Sequence, residues 1–229
     1  MRICGDIGGT KVLLALVDAA GEIVQKRRFA SADFSDFAPL LGEFLRGAGA
    51  GISGGCLAVA GPVADDGRTA KITNLPWVID AAALEKEFAI APGRLRLIND
   101  FAGVARGVAA LAPDQLATLQ AGAPLAAGVK LVIGAGTGLG MAVLLGDRIL
   151  PGEGGHVGFA PHDEAQGRVW SALLQEHGRV TAERVISGPG LAAIHRILAG
   201  ENAAPAEISA RALGGDIVAH SEPGKGSVF

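Results

Sequence analysis

Apolar positions at the start of the chain come in three short runs separated by turns. Ile3 and Cys4 lead into Gly5-Asp6-Ile7-Gly8-Gly9-Thr10-Lys11, an apolar run covers residues 12–17, Ala19-Ala20-Gly21-Glu22 turns the chain, and Ile23 and Val24 open a third run. The same order recurs far downstream. Residues 131–133 lead into Gly134-Ala135-Gly136-Thr137-Gly138-Leu139-Gly140, then come residues 141–145, the turn Gly146-Asp147, and Ile149 with Leu150. A strand, glycine turn, strand, turn, strand unit therefore occurs twice, and residues 2–29 read as a three-stranded meander.

Between and after these units the period changes. Phe37, Leu40, Leu41, Phe44 and Leu45 follow helical spacing, with Gly47 as the stop. Residues 56–60 form a short apolar strand ending in Gly61-Pro62. Residues 81–88 read as a helix with Asp80 at its N-cap, closed before Pro92-Gly93. Residues 95–98 form a strand with Asn99-Asp100 at its end, and 101–111 a helix that carries the chain between two lobes. An Ala-, Gly- and Pro-rich loop covers 122–128. Val169, Ala172, Leu173 and Glu176 mark a helix closed by Gly178, and Leu191, Ile194, Ile197 and Leu198 mark another entered through Ser187-Gly188-Pro189-Gly190. Strands and helices alternate, which predicts α/β layers. The repeated unit predicts two related lobes with a site between them.

Composition narrows the class. At 229 residues, with 49% hydrophobic and 19% charged residues, the chain is globular. Its longest apolar runs are far short of the roughly 20 residues of a membrane helix, and Asp6, Lys11 and Asp18 interrupt any signal-peptide core. A net charge of −3 without a basic cluster argues against a nucleic-acid partner. Cys4 and Cys56 lie in apolar, strand-like runs and are expected as buried thiols of a reducing cytoplasm, not as a disulfide. No set of Cys and His has zinc-ligand spacing.

Three constellations carry candidate chemistry. The glycine turns come first: lacking a Cβ, glycine can take φ > 0 and let backbone N–H groups approach an anion. Two such hairpins facing each other across a cleft would hold a polyphosphate from both sides. Single-loop fingerprints do not apply. A dinucleotide-binding G-x-G-x-x-G from Gly134 fails at Leu139, and a Walker loop fails because Gly226 follows Lys225. The second constellation is Ile98-Asn99-Asp100, an amide and a carboxylate where a strand leaves the sheet. Asp100 can accept a proton from a substrate hydroxyl, or it can simply cap the helix beginning at Phe101. The third is Pro151-Gly152-Glu153-Gly154-Gly155-His156-Val157. Glu153 and His156 offer an acceptor and a switchable donor or acceptor, a set that suits a neutral polyol or else belongs to an ordinary turn. Glu183 alone reads as a carboxylate on a helix face, and His162, His177, His195 and His220 as surface or helix residues.

Taken together, Gly5-Asp6-Ile7-Gly8-Gly9-Thr10, Ile98-Asn99-Asp100-Phe101, the turn 134–140, Pro151-Gly152-Glu153-Gly154-Gly155-His156 and Glu183-Arg184-Val185-Ile186-Ser187-Gly188-Pro189-Gly190 resemble the bacterial ATP-dependent glucokinases in order and spacing. The resemblance spans about residues 1–213. It implies an α/β, actin-like (hexokinase-type) ATPase fold. It also implies transfer of the ATP γ-phosphoryl group to the 6-hydroxyl of glucose with Mg²⁺, in the cytoplasm, by a chain that could form a homodimer. By position, Asp100 matches the catalytic base, and Asn99, Glu153, His156 and Glu183 match sugar-hydroxyl ligands. Asp6, Gly8, Gly9, Thr10, Gly136, Thr137 and Gly138 match the phosphate cradle. The cysteine cluster of the related repressor–kinase family is absent.

The resemblance implies a small α/β lobe over 1–105, part of a large α/β lobe over 106–213, and a non-family tail over 214–229. The tail instead resembles a glycine-rich ATP-lid segment of sensor histidine kinases. Family members continue through a Gly-Gly segment that touches adenosine, so this reading expects a truncated chain with impaired ATP binding. The alternative reading is a non-catalytic sugar-binding module.

Overall fold

The computed structural model describes residues 1–47, 51–108, 110–123, 125, 127–213, 220–222 and 226–228. By contact, the chain divides into two compact units. The first comprises Met1–Val132 and Ala142–Pro151, the second Ile133–Met141 and Gly152–Phe229. The 105/106 boundary expected from the sequence falls inside the first unit, within a helix.

The first unit is built on a five-stranded sheet. Strands β1 (Arg2–Ile7), β2 (Lys11–Val17) and β3 (Ile23–Ala30) form the expected meander. β4 (Gly54–Val59) and β7 (Leu95–Asn99) extend it in the order β3-β2-β1-β4-β7. β1 pairs antiparallel with β2 and parallel with β4, and β4 pairs parallel with β7. A small hairpin of β5 (Thr69–Lys71) and β6 (Val78–Asp80) precedes helix α2 (Ala81–Glu87).

Side-chain alternation makes one face of the sheet the core. Ile3, Ile7, Val12, Leu14, Leu16, Leu57, Val59, Leu95 and Leu97 are buried in one cluster with Phe37, Leu40, Leu41 and Phe44 of helix α1 (Phe37–Leu45). Gly5 lies on this face, where a Cβ would stand 2.8 Å from both Leu14 Cδ2 and Leu57 Cδ2. Leaving out a side chain there lets the two leucines close over β1. Local signals start and stop the helices. The Asp36 side chain accepts the Phe37 N–H and Gly47 follows at φ 86°, while Asp80 accepts the Ala82 and Ala83 N–H groups.

The opposite face runs differently from expectation. Cys4 is exposed and Cys56 only half-buried, so neither is the buried thiol that its apolar run suggested. The period of two explains it: Cys4 points away from Ile3 and Ile7. Helix α3 (Asp100–Val108) lies against this face near its carboxyl end, where a Cβ on Gly103 would meet the Ala58 Cβ at 3.0 Å. Ala105 of α3 is also buried with Ala142 and Leu144.

The second meander is present as expected. β8 (Lys130–Ala135), β9 (Leu139–Leu145) and β10 (Arg148–Gly152) form a sheet in the order β10-β9-β8. In the second unit, α4 (Glu164–His177) ends on Gly178 in the left-handed region. A short helix α5 (Ala182–Val185) follows, and α6 (Gly188–Ala199) starts from Ser187, whose side chain accepts the Gly190 N–H. α7 (Pro205–Leu213) and a hairpin of β11 (His220–Glu222) and β12 (Gly226–Val228) complete it. Val169, Leu173 and Val180 form the core of this unit. Of the segment 214–229, residues 214–219, 223–225 and 229 lie outside the described residues. No helix among the described residues is long and apolar enough to cross a membrane.

Candidate functional site

Asn99 is the last residue of β7 and pairs with Val59, and Asp100 is the first residue of α3. Both are half-buried. Capping is shared between them. Asn99 Oδ1 accepts the Phe101 and Ala102 N–H groups at 3.0 and 3.2 Å, and Asp100 Oδ1 accepts the Phe101 N–H at 2.8 Å. Asn99 thus takes the longer-range capping role, and engaging Oδ1 with the helix turns its Nδ2 the other way.

In the first glycine turn, the Gly8 N–H donates to the Lys11 carbonyl at 3.0 Å and closes the hairpin. Ser31 Oγ donates to the Gly8 carbonyl at 3.0 Å. A Cβ on Gly9 would stand 3.0 Å from the Thr73 carbonyl, so the loop after β5 packs directly on this turn. In the second turn, the Gly136 N–H donates to the Gly138 carbonyl and the Gly136 carbonyl accepts the Gly188 N–H, both at 2.8 Å. Neither turn uses glycine for positive φ. The left-handed glycines are elsewhere, Gly21 and Gly146 of the plain β-turns among them. Gly9 and Gly138 supply room instead, for the Thr73 carbonyl and the Glu183 carboxylate. The N–H groups of Gly9, Thr10, Thr137 and Gly138 have no hydrogen-bond partner among the described residues.

Asp6 lies in β1, two residues before Gly8, on the face opposite Ile7. It is an exposed residue, yet partial desolvation pushes its carboxyl above the usual aspartate range, against the pull of Arg28. The register accounts for the pair: Asp6 stands opposite Leu13, and Leu13 opposite Arg28.

The second unit carries the other candidates. Glu153 precedes and His156 ends a single 3₁₀ turn, with His156 Nε2 3.5 Å from Glu153 Oε2, and both side chains are exposed. The glycines between them lie close against β9. A Cβ on Gly154 would collide with Met141 Sδ, and one on Gly155 with the Leu139 carbonyl. Arg179 Nη2 donates to the His156 carbonyl at 3.1 Å. Glu183, read from the sequence as a helix-face carboxylate, instead accepts the Leu139 N–H through Oε2 at 3.0 Å. It brings a carboxylate against the second turn.

Two features went unread in the sequence. One is the loop after β5: Lys71, Ile72, Thr73, Asn74, Leu75 and Pro76, with Pro62, line a depression of about 410 Å³. Its signal was Asn74-Leu75-Pro76, and Asn74 takes φ 67°. The other is a buried ion pair. Arg68 Nη1 and Nη2 donate to Glu85 Oε1 and Oε2 at 2.9 and 2.5 Å, and the Gly93 and Leu95 N–H groups donate to the same carboxylate at 2.9 and 2.7 Å. Four donors, the Arg68 side chain foremost, hold Glu85 down at about 2.

Known proteins are similar to this chain in sequence and fold. The chain is 39% identical over 209 residues to the glucokinase of Nostoc punctiforme, covering 86% of this chain and 60% of that protein. The solved structure of glucokinase from an Antarctic psychrotroph superposes with a TM-score of 0.73 at 30% identity, over 93% of this chain and 70% of that one. That of glucokinase from Balamuthia mandrillaris in complex with glucose gives 0.67 at 26% identity, over 84% and 60%. A ROK family glucokinase from Streptomyces griseus in complex with glucose and AMPPNP, at 21% identity and a TM-score of 0.57 over 83% and 58%, shares the fold. The α/β fold is thus that of the actin-like sugar kinases. The sequence profile of the family described as Glucokinase matches residues 3–222, and the chain belongs to that family. The match takes in residues 214–222 of the segment set apart in the sequence. The chain spans about 60% of the length of the Nostoc relative.

Proposed function

We propose that this chain carries the sugar and phosphate contacts of an ATP-dependent glucokinase, which transfers the γ-phosphoryl group of ATP to the 6-hydroxyl of glucose. Family membership supports this reading. The observation that carries it is the Asn99–Asp100 pair: an amide and a carboxylate, both half-buried, mounted where a parallel strand gives way to a helix. Ligands of α/β sheets favour such carboxyl ends.

In this reading, Asp100 accepts the proton of the 6-hydroxyl as its oxygen attacks the γ-phosphorus. Asn99, with Oδ1 engaged by the helix, donates to a sugar hydroxyl through Nδ2. Glu153, His156 and Glu183 hold further hydroxyls, Glu183 through the oxygen not bonded to Leu139. The N–H groups of Gly9, Thr10, Thr137 and Gly138 receive phosphate oxygens, with Asp6, Gly8 and Gly136 shaping the turns. Phosphoryl transfer asks for positioning and charge stabilisation more than covalent chemistry from the protein.

Mg²⁺ fits the residues present. It binds through one or two carboxylates, waters and substrate phosphates, not in an all-protein cage. No group of three or more His, Cys, Asp or Glu converges among the described residues, and Asp6 supplies a carboxylate whose charge is poorly compensated. The ion would neutralise charge on the β- and γ-phosphates.

The test is a coupled ADP-release assay run beside calorimetric titration with glucose. Glucose-dependent ADP release supports the proposal. Glucose binding without ADP release would replace it with a non-catalytic sugar-binding module, and the absence of both would sink it.

A further inference from the structure

We propose that Cys4 and Cys56 form a paired-thiol site on the exposed face of the first sheet that captures trivalent arsenic between its two sulfurs. The two residues stand directly opposite each other on the parallel strands β1 and β4. Register partners project to the same face. Both cysteines are free, Cys4 exposed and Cys56 half-buried. They belong to one row across five strands, Lys26-Ala15-Cys4-Cys56-Arg96, so a small residue flanks the pair on one side and an arginine on the other. Helix α3 packs further along the same face, at Ala58 and Ile98.

Geometry favours a bridged pair over a disulfide. Neighbouring strands lie about 4.8 Å apart, and side chains stand nearly perpendicular to the sheet. The two Cβ atoms therefore keep roughly that spacing, beyond the ~3.5–4.5 Å a disulfide wants. An atom inserted between the sulfurs removes that constraint. Burial first, then the charge of Cys4, pushes the Cys56 thiol up, with Arg96 opposing. With phenylarsine oxide the step balances. Two As–S bonds form, the As–O bond breaks, both thiol protons leave with the oxygen as water, and arsenic stays trivalent.

The experiment is a titration of the 229-residue protein with phenylarsine oxide, followed by intact mass. We expect one arsenical per chain, released by 2,3-dimercaptopropanol and retained against 2-mercaptoethanol. Cys4→Ala and Cys56→Ala should each lose affinity by about 10²-fold or more, since the second bond of a bidentate ligand forms at high effective concentration. Alkylating the exposed Cys4 in the unaltered protein should block capture equally, which guards against a variant that fails to fold. Two arsenicals per chain, release by the monothiol, or undiminished capture by either single-cysteine variant would overturn the site. None of these readouts depends on kinase activity.

Discussion

The carboxylate of Glu183 accepts the backbone N–H of Leu139, 44 residues away, at 3.0 Å, and the same oxygen stands 2.5 Å from where a Cβ on Gly138 would be. One side chain thereby ties the start of α5 to the second glycine turn and fills the space that glycine leaves. Glu183→Ala should remove a hydrogen bond to a charged group, worth about 1.5–3 kcal/mol. Hydrogen exchange at the Leu139 amide should accelerate correspondingly, by at least about tenfold. Gly138→Ala should do the same, because its methyl displaces the Glu183 carboxylate. The two changes should not add; additive effects in the double variant would separate the turn from Glu183.

Glu85 should dominate the acid response of the first unit. Its pKa falls on folding from 4.5 to about 2, with its side chain 4% exposed. A lowered carboxylate contributes stability above its unfolded value and withdraws it as pH falls through the folded one. The shift corresponds to about 3 kcal/mol. Glu85→Gln should therefore destabilise at pH 7 by about that amount, and the gap to the unaltered protein should close between about pH 4.5 and pH 2. A constant gap in melting temperature across that window would contradict the assignment.

Asp6 has the opposite sign. Its pKa is raised on folding from 3.8, so its ionised form opposes folding at neutral pH. Asp6→Asn should melt higher than the unaltered protein at pH 7, with the advantage shrinking as pH falls towards about 4 and absent below it. If Asp6 serves phosphate or Mg²⁺, the same variant should lose turnover while gaining stability, as residues held for function often do. A lower melting temperature at pH 7 would show that the carboxylate is compensated.

Asp100→Asn should lower phosphoryl transfer by about 10²–10⁴-fold, the usual contribution of a general base. Glucose affinity should change little, because the amide keeps the shape. Single-turnover rates and calorimetry separate the two effects, and near-normal turnover would remove Asp100 from the role of base.

Glu153→Ala and His156→Ala should weaken glucose binding by roughly 1–3 kcal/mol each, through loss of a hydroxyl partner. Nucleotide affinity should hold. Unchanged glucose affinity in both variants would remove this turn from the sugar site.

Much of the framework was legible because its signals are local. Asp80, Gly178 and Ser187 cap helices as their positions suggest, and both meanders follow their apolar runs. What escaped depends on partners distant in sequence. Glu85 reads as an ordinary polar helix residue until Arg68, Gly93 and Leu95 surround it. The β5–β6 hairpin has strands of three residues, too short for a period to show. Cys4 looked buried because its neighbours are apolar, but in a strand the neighbour in sequence faces the other way. The candidate site residues were identified from the motifs. The sequence did not show that Asn99 and Glu183 each commit one oxygen to the backbone.

The placement of Asn99 makes strand β7 a ruler. Asn99 closes the pairing with Val59 and opens α3 by capping it, so strand, cap and Asp100 follow one another without slack. A loop absorbs an extra residue, but this junction has none in which to hide it. One residue inserted into β7 would reverse the faces of all that follows it, leaving the choice of uncapping the helix or carrying Asp100 to the other side of the sheet. Length changes a few residues upstream should therefore register at Asp100, while substitutions that preserve length pass without moving it.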